Sequence, residues 1–223
     1  LSTANDTSYP GAGAATAGIA SVVLQVSTNG SAWTDNATFT GSGPYTVTAS
    51  PALTTDTTYA IRAIATDLAG NISTTALSTT NGRITVDITP PTVGTLTMTS
   101  ADTGSSNSDG IINNATPEFT LSTANDTSYP GAGAATAGIA SVVLQVSTNG
   151  SAWTDNATFT GSGPYTVTAS PALTTDTTYA IRAIATDLAG NISTTALSTT
   201  NGRITVDTTA PTAGTLTMTT TDD

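Results

Sequence analysis

Residues 1–87 and residues 121–207 are the same sequence, letter for letter. Whatever this chain folds into, it must therefore be built twice, with a period of 120 residues. That period is too long for one turn of a solenoid and suits one domain per repeat. Residues 88–103 and 208–223 also match apart from a few changes, such as Val93 against Ala213. The repeat divides the chain into three parts. Residues 1–87 are a copy without its start, residues 88–207 are a complete copy, and residues 208–223 are the first strand of a following one. A chain divided in this way reads as a segment cut from a longer tandem array.

Within the complete copy, period-2 alternation dominates and no useful helical period occurs. Val93 to Thr99 reads as a first strand, with Leu96 and Met98 on one face. A polar loop over 101–116 leads to Glu118–Leu121, with Phe119 and Leu121 inward. A loop with Asp126, Pro130 and three glycines follows. Ile139 to Ser147 is the strongest strand, with Ala140, Val142, Leu144 and Val146 on one face. Asn149-Gly150 is a two-residue turn signal that returns the chain through Trp153. Tyr165, Val167 and Ala169 mark another strand. Tyr179, Ile181, Ala183 and Ala185 mark the next, with Arg182 outward, and Ile204 and Val206 mark the last. About seven short alternating strands in such a length predict an all-β fold, an antiparallel Ig-like sandwich repeated in tandem. Tyr179, after Leu173-Thr174-Thr175-Asp176, stands where a tyrosine corner bonds its hydroxyl to nearby backbone.

Composition removes several functions. The four cations are all Arg, against fourteen Asp and the single Glu118, so the net charge is −11. Phosphate contacts need a basic surface, which excludes nucleic acid and argues against anionic membranes. No run of residues is apolar enough to insert in a bilayer. There is no Cys, His or Lys, so triads, thiol nucleophiles, Schiff bases and zinc sites are out of reach, and the chain is not expected to be an enzyme. Without disulfides, stability must come from packing or a metal.

The two joints point to which metal. Thr85-Val86-Asp87-Ile88-Thr89-Pro90-Pro91-Thr92 returns as Thr205-Val206-Asp207-Thr208-Thr209-Ala210-Pro211-Thr212. Proline makes such a connection short and stiff. In an Ig-like sandwich the N-terminus, the B–C loop and the F–G loop share one end, and the A–B loop and C-terminus share the other. Asp126, Asp187 and Asn191 are thereby expected beside Asp87, and Asp102, Asn107 and Asp109 beside Asp207. In the first copy the counterparts are Asp6, Asp67 and Asn71. Converging carboxylates repel unless a cation neutralises them, and hard oxygen ligands suit Ca²⁺. For Asp155 and Asp176 the turn-forming, solubilising reading is preferred.

Three motifs carry a family resemblance: Ala185-Thr186-Asp187-Leu188-Ala189-Gly190-Asn191, Val206-Asp207-Thr208-Thr209-Ala210-Pro211, and Ser100-Ala101-Asp102-Thr103-Gly104 with Asp109-Gly110-Ile111-Ile112-Asn113. In this order, in a tandem repeat, they resemble the Ig-like extender repeats of giant Bap-like and RTX (LapA-type) bacterial adhesins. The resemblance implies a secreted, cell-surface spacer active in cell adhesion and biofilms. Many copies would project a distal adhesion domain, stiffened by calcium at the joints, and the partners would be neighbouring repeats of the same chain. The alternative is a carbohydrate- or protein-binding sandwich, for which Trp153, Tyr129 and Phe159 are the candidate contacts. The repeat also predicts head-to-tail self-association, because residues 208–223 carry a strand that residues 1–87 lack.

Overall fold

The computed structural model describes residues 1–6, 18–40, 44–54, 56–77, 82–126, 138–161, 163–198 and 202–219. Tyr129 and Pro130 lie outside them. The chain divides into two compact units at Thr89/Pro90.

The first unit contains β1 (Ile19–Ser27), β2 (Thr34–Thr38), β3 (Thr57–Asp67), β4 (Ile72–Ala76) and β5 (Arg83–Val86). They form one antiparallel sheet in the order β2-β1-β3-β4, with β5 pairing the first half of β3. Its buried cluster is small: Ala4, Val22 and Tyr45, with Leu1, Ile19, Phe39 and Ala65 packed against it.

The second unit repeats this sheet and shows the layer that faces it as strands, where the first unit's described residues keep only the Leu1–Tyr45 pair, joined by two backbone hydrogen bonds of 2.8 and 3.0 Å. The repeated sheet holds β11 (Ile139–Ser147), β12 (Thr154–Thr158), β14 (Thr177–Asp187), β15 (Ile192–Ala196) and β16 (Arg203–Val206). β8 (Ile111–Ile112) joins its edge in parallel with β16. The facing layer is β7 (Leu96–Met98), β9 (Glu118–Leu121) and β13 (Tyr165–Thr168), ordered β13-β9-β7. β6 (Thr92–Val93) pairs separately with β10 (Ala124–Asn125). The inward residues of both layers interdigitate, which is the sandwich read from the alternation. Leu96, Phe119, Leu121, Leu144, Ile181, Ile204 and Val206 are fully enclosed.

Three local readings need correction. The strand read over 93–99 is broken at Gly94, whose N–H donates to Thr123 O (2.9 Å). The chain passes so close to Ser122 there that an added Cβ would lie 2.2 Å from its Oγ. β6 and β7 therefore pair with different strands. Ala140 is exposed rather than inward, because the β11–β14 register shifts between Ile139 and Ser141 and a bulge turns its side chain out. The Asn149-Gly150 connection is longer than a two-residue hairpin. Asn149 Oδ1 accepts the N–H groups of Ser151 (2.9 Å) and Ala152 (2.8 Å), so the side chain itself caps the turn. The tyrosine corner forms as read: Thr174 N–H donates to the Tyr179 hydroxyl at 3.0 Å, and Thr54 N–H to Tyr59 at 3.2 Å.

Candidate metal centre

The end of the second unit where β14 finishes carries two buried carboxylates, Asp126 and Asp187. The Asp187 loop is tightly ordered. Its Oδ1 accepts the N–H groups of Ala189 (2.9 Å), Gly190 (2.7 Å) and Asn191 (2.8 Å). Oδ2 accepts the Asn191 side-chain amide at 2.8 Å. Gly190 supplies the positive φ of 96° that closes the turn. Burial pushes the Asp187 carboxyl up, but the bonds from Asn191, Gly190 and Ala189 outweigh it and hold the pKa below the usual carboxylate value. Asp187 is therefore ionised at neutral pH. Asn191 spends its amide nitrogen on Asp187, which makes it an orienting group for that carboxylate.

Asp126 follows β10 directly. Thr92 holds β10 from the other side, its Oγ1 donating to Asn125 O (3.1 Å) and contacting Asn125 Oδ1. The buried Tyr165 hydroxyl donates to Ala124 O at 3.2 Å, and its burial raises its own pKa. These anchors bring one oxygen of Asp126 to within 4.8 Å of one of Asp187. Two anions at that distance repel by about 3 kcal/mol at an effective dielectric constant near 20. Only oxygen donors are gathered, a set that fits a hard cation such as Ca²⁺ and offers nothing to a soft one.

The first unit shows what buries this pair. Asp67 has the same partners, Ala69 N (2.9 Å), Asn71 N (2.8 Å) and Asn71 Nδ2 (2.8 Å), and its pKa is likewise held down, chiefly by Asn71. Yet Asp67 and Asp6 are only half-buried, and with Asn71 they border an open cavity of about 380 Å³. In the second unit the corresponding ground is covered by β6, which pairs with β10 and packs on β15, and by the enclosed Pro91. Asp87, one residue beyond β5, is itself buried, and its Oδ1 accepts Thr89 N–H at 3.1 Å.

At the opposite end of the second unit the predicted group is looser. Asp102 Oδ2 accepts Gly110 N–H (2.9 Å), while its Oδ1 is buried without a hydrogen-bond partner among the described residues. It borders a cavity of about 470 Å³ together with Asn107, Ser100, Ser108 and Ser198. Asp109 is exposed and caps Ile111 N–H (3.0 Å). Asp207 is exposed and accepts Thr209 N–H (3.0 Å). Among the described residues Asp102, Asp109 and Asp207 do not form a three-carboxylate cluster. The alternation did not reveal two further features. Asp176 adopts a positive φ of 56° and accepts the Thr209 hydroxyl (3.0 Å). The Arg182 guanidinium lies 4.1 Å over the Trp153 ring, with Arg182 Nε donating to Gln145 and Gln145 to Asp155. An Asp that must tie down the departing chain, and an Arg and Trp on the same sheet face, were the signals available.

An all-β sandwich whose sequence recurs in the same chain defines a modular Ig-like protein. The sequence pattern of the bacterial Ig-like domain matches residues 85–208, more than half of the chain, and the chain belongs to that family. No curated protein matches it. Solved structures with a similar fold include the FN1–FN3 domains of chicken CNTN1, at 12% identity over 81% of this chain and 57% of that one, TM-score 0.37. Another is a tetra-tandem repeat in the extending region of a large adhesion protein, at 21% identity over 78% of this chain and 40% of that one, TM-score 0.31. The chain thus spans from two fifths to somewhat over half of these structures. Among the described residues no helix is long and apolar enough to cross a membrane.

Proposed function

We propose that this chain is a stretch of the extending stalk of a large bacterial surface adhesin of the Bap-like or RTX kind. Its repeats act as spacers that hold a distal adhesive domain away from the cell. The chain works outside the cell, performs no catalysis and is stiffened by Ca²⁺ at its joints. The observation that carries this reading is the pair of buried carboxylates, Asp126 and Asp187, at the end of the second unit where the linker arrives. Burying two anions side by side is unfavourable without a counter-ion.

Asp87 is the third ligand in this proposal. It stands five positions before Thr92, which pairs with Asn125, the residue before Asp126. At most about 18 Å of extended backbone separates Asp87 from Thr92. A bound Ca²⁺ would supply charge neutralisation and a cross-link between linker and domain. Asp187 would be held ready by its loop, Asn191 would orient it, and β6 and Pro91 would exclude water. Asp102 with Asn107, and Asp207 beyond them, would serve the next joint in the same way. Of the aromatic candidates for a glycan-binding module, Phe159 is buried in the core and Trp153 carries Arg182 on its ring, while Tyr129 lies outside the described residues. Isothermal titration with Ca²⁺ against EDTA-treated protein, with melting in both states, tests the reading. Saturable binding near 10⁻⁴ to 10⁻³ M with a raised melting temperature is expected. Absence of both would remove calcium from the account.

A further inference from the structure

Asp187 is fixed by its own loop, through the hydrogen bonds from Ala189, Gly190 and Asn191. Asp126 instead follows β10, a strand of two residues. β10 pairs with β6 in a two-stranded ribbon that is part of neither layer of the sandwich. A ribbon this short is marginal by itself, so other groups must decide where Asp126 stands.

The backbone of β10 is held from two sides. Thr123 O accepts Gly94 N–H at 2.9 Å, and Asn125 O accepts the Thr92 hydroxyl at 3.1 Å. Both donors come from the segment that carries β6. Successive carbonyls of an extended chain point to opposite edges, so Ala124 O faces away from that segment. Among the described residues no strand pairs with β10 on that edge. Ala124 is fully enclosed, and a buried carbonyl needs a donor. The Tyr165 hydroxyl supplies it at 3.2 Å, from 41 residues along the chain.

Tyr165 opens β13, pairs with Leu121 and belongs to the apolar core. A phenylalanine would fill nearly the same volume there without burying an oxygen. The hydroxyl is worth burying only for the bond it makes. That bond ends two residues before Asp126. A cation shared by Asp126 and Asp187 needs its oxygens at about 2.3–2.6 Å, so a small displacement of β10 takes Asp126 off it.

We propose that Tyr165 is the positioning residue for Asp126, acting through Ala124 O, an inference that rests on the calcium reading above. The hydroxyl ties β10 to the core, and the core thereby sets the distance from Asp126 to the rigid Asp187 loop. Removing an outer-shell group of this kind typically weakens metal binding by about tenfold or more.

Tyr165→Phe in the full chain tests this, with Tyr179→Phe as control. Tyr179 also loses one hydroxyl hydrogen bond in the same unit, but at the start of β14, whereas Asp187 ends that strand. Calcium titration calorimetry is run well below the melting transition, and the heat abolished by Asp187→Asn identifies the site. Tyr165→Phe should raise the dissociation constant about tenfold, and Tyr179→Phe should leave it unchanged. Hydrogen exchange in calcium-free protein gives a second readout. Residues 1–87 repeat 121–207, so peptides that begin before Leu121 report on β10 alone. Their exchange should quicken about fivefold in Tyr165→Phe only. An unchanged dissociation constant in Tyr165→Phe, or equal changes in both variants, overturns the proposal and leaves Tyr165 an ordinary core residue. Unchanged β10 exchange in Tyr165→Phe overturns the anchoring itself. Wild type that takes up no Ca²⁺ overturns the calcium reading, and the exchange measurement then decides the anchoring without it.

Discussion

The repeat supplies its own control for the calcium reading, because Asp187 and Asp67 sit in identical loops with the same hydrogen-bond partners but only Asp187 is enclosed. Consider Asp187→Asn. In calcium-free protein two effects oppose each other. Removing the charge relieves repulsion with Asp126, about 3 kcal/mol by the estimate above. It also weakens the bonds from Ala189, Gly190 and Asn191, a loss of about 2–3 kcal/mol for a charged acceptor. The melting temperature without calcium should therefore move by only a few degrees. With about 5 mM Ca²⁺ and a dissociation constant near 10⁻⁴ M, wild type gains about 2.3 kcal/mol by mass action. At about 2.1 cal/mol/K per residue, a unit of this size has an unfolding entropy near 0.25 kcal/mol/K, so the gain is about 9 °C. Asp187→Asn should lose nearly all of that rise, while Asp67→Asn keeps it. Differential scanning calorimetry with and without EDTA reads both. An undiminished rise in Asp187→Asn, or equal losses at the two positions, would refute the argument from burial.

Three further outcomes follow from other parts of the fold. Tyr179→Phe leaves Thr174 N–H without its acceptor and should destabilise the second unit by about 1 kcal/mol in urea titration, with no change in calcium response. In calcium-free protein the Asp187 pKa is depressed on folding, so its contribution to stability is present above the unfolded value near pH 4. It is lost as pH falls through the folded pKa, and wild type should weaken there more steeply than Asp187→Asn in acid-dependent denaturation. Trp153→Ala removes the ring under Arg182 and should cost about 1 kcal/mol of stability while leaving a glycan array as silent as before.

The alternation of β-branched and aromatic residues was enough to assign the sandwich, because a strand buried on one face shows its inside every second position. Phe119, Leu121, Ile181 and Ile204 are inward as that period requires. It failed where the backbone leaves the regular pleat. The bulge beside Ala140 and the break at Gly94 depend on a neighbouring strand's register and on the closeness of Ser122, neither of which has a signature in the local sequence. The repeat by itself set the period of 120 residues and the acidic positions that recur with it. It was silent on the difference between Asp187 and Asp67, whose surroundings are the same for dozens of residues along the chain. That difference is tertiary. β6 and Pro91 lie over one loop, no described strand lies over the other, and exclusion of water turns the same carboxylate from a surface charge into a buried one.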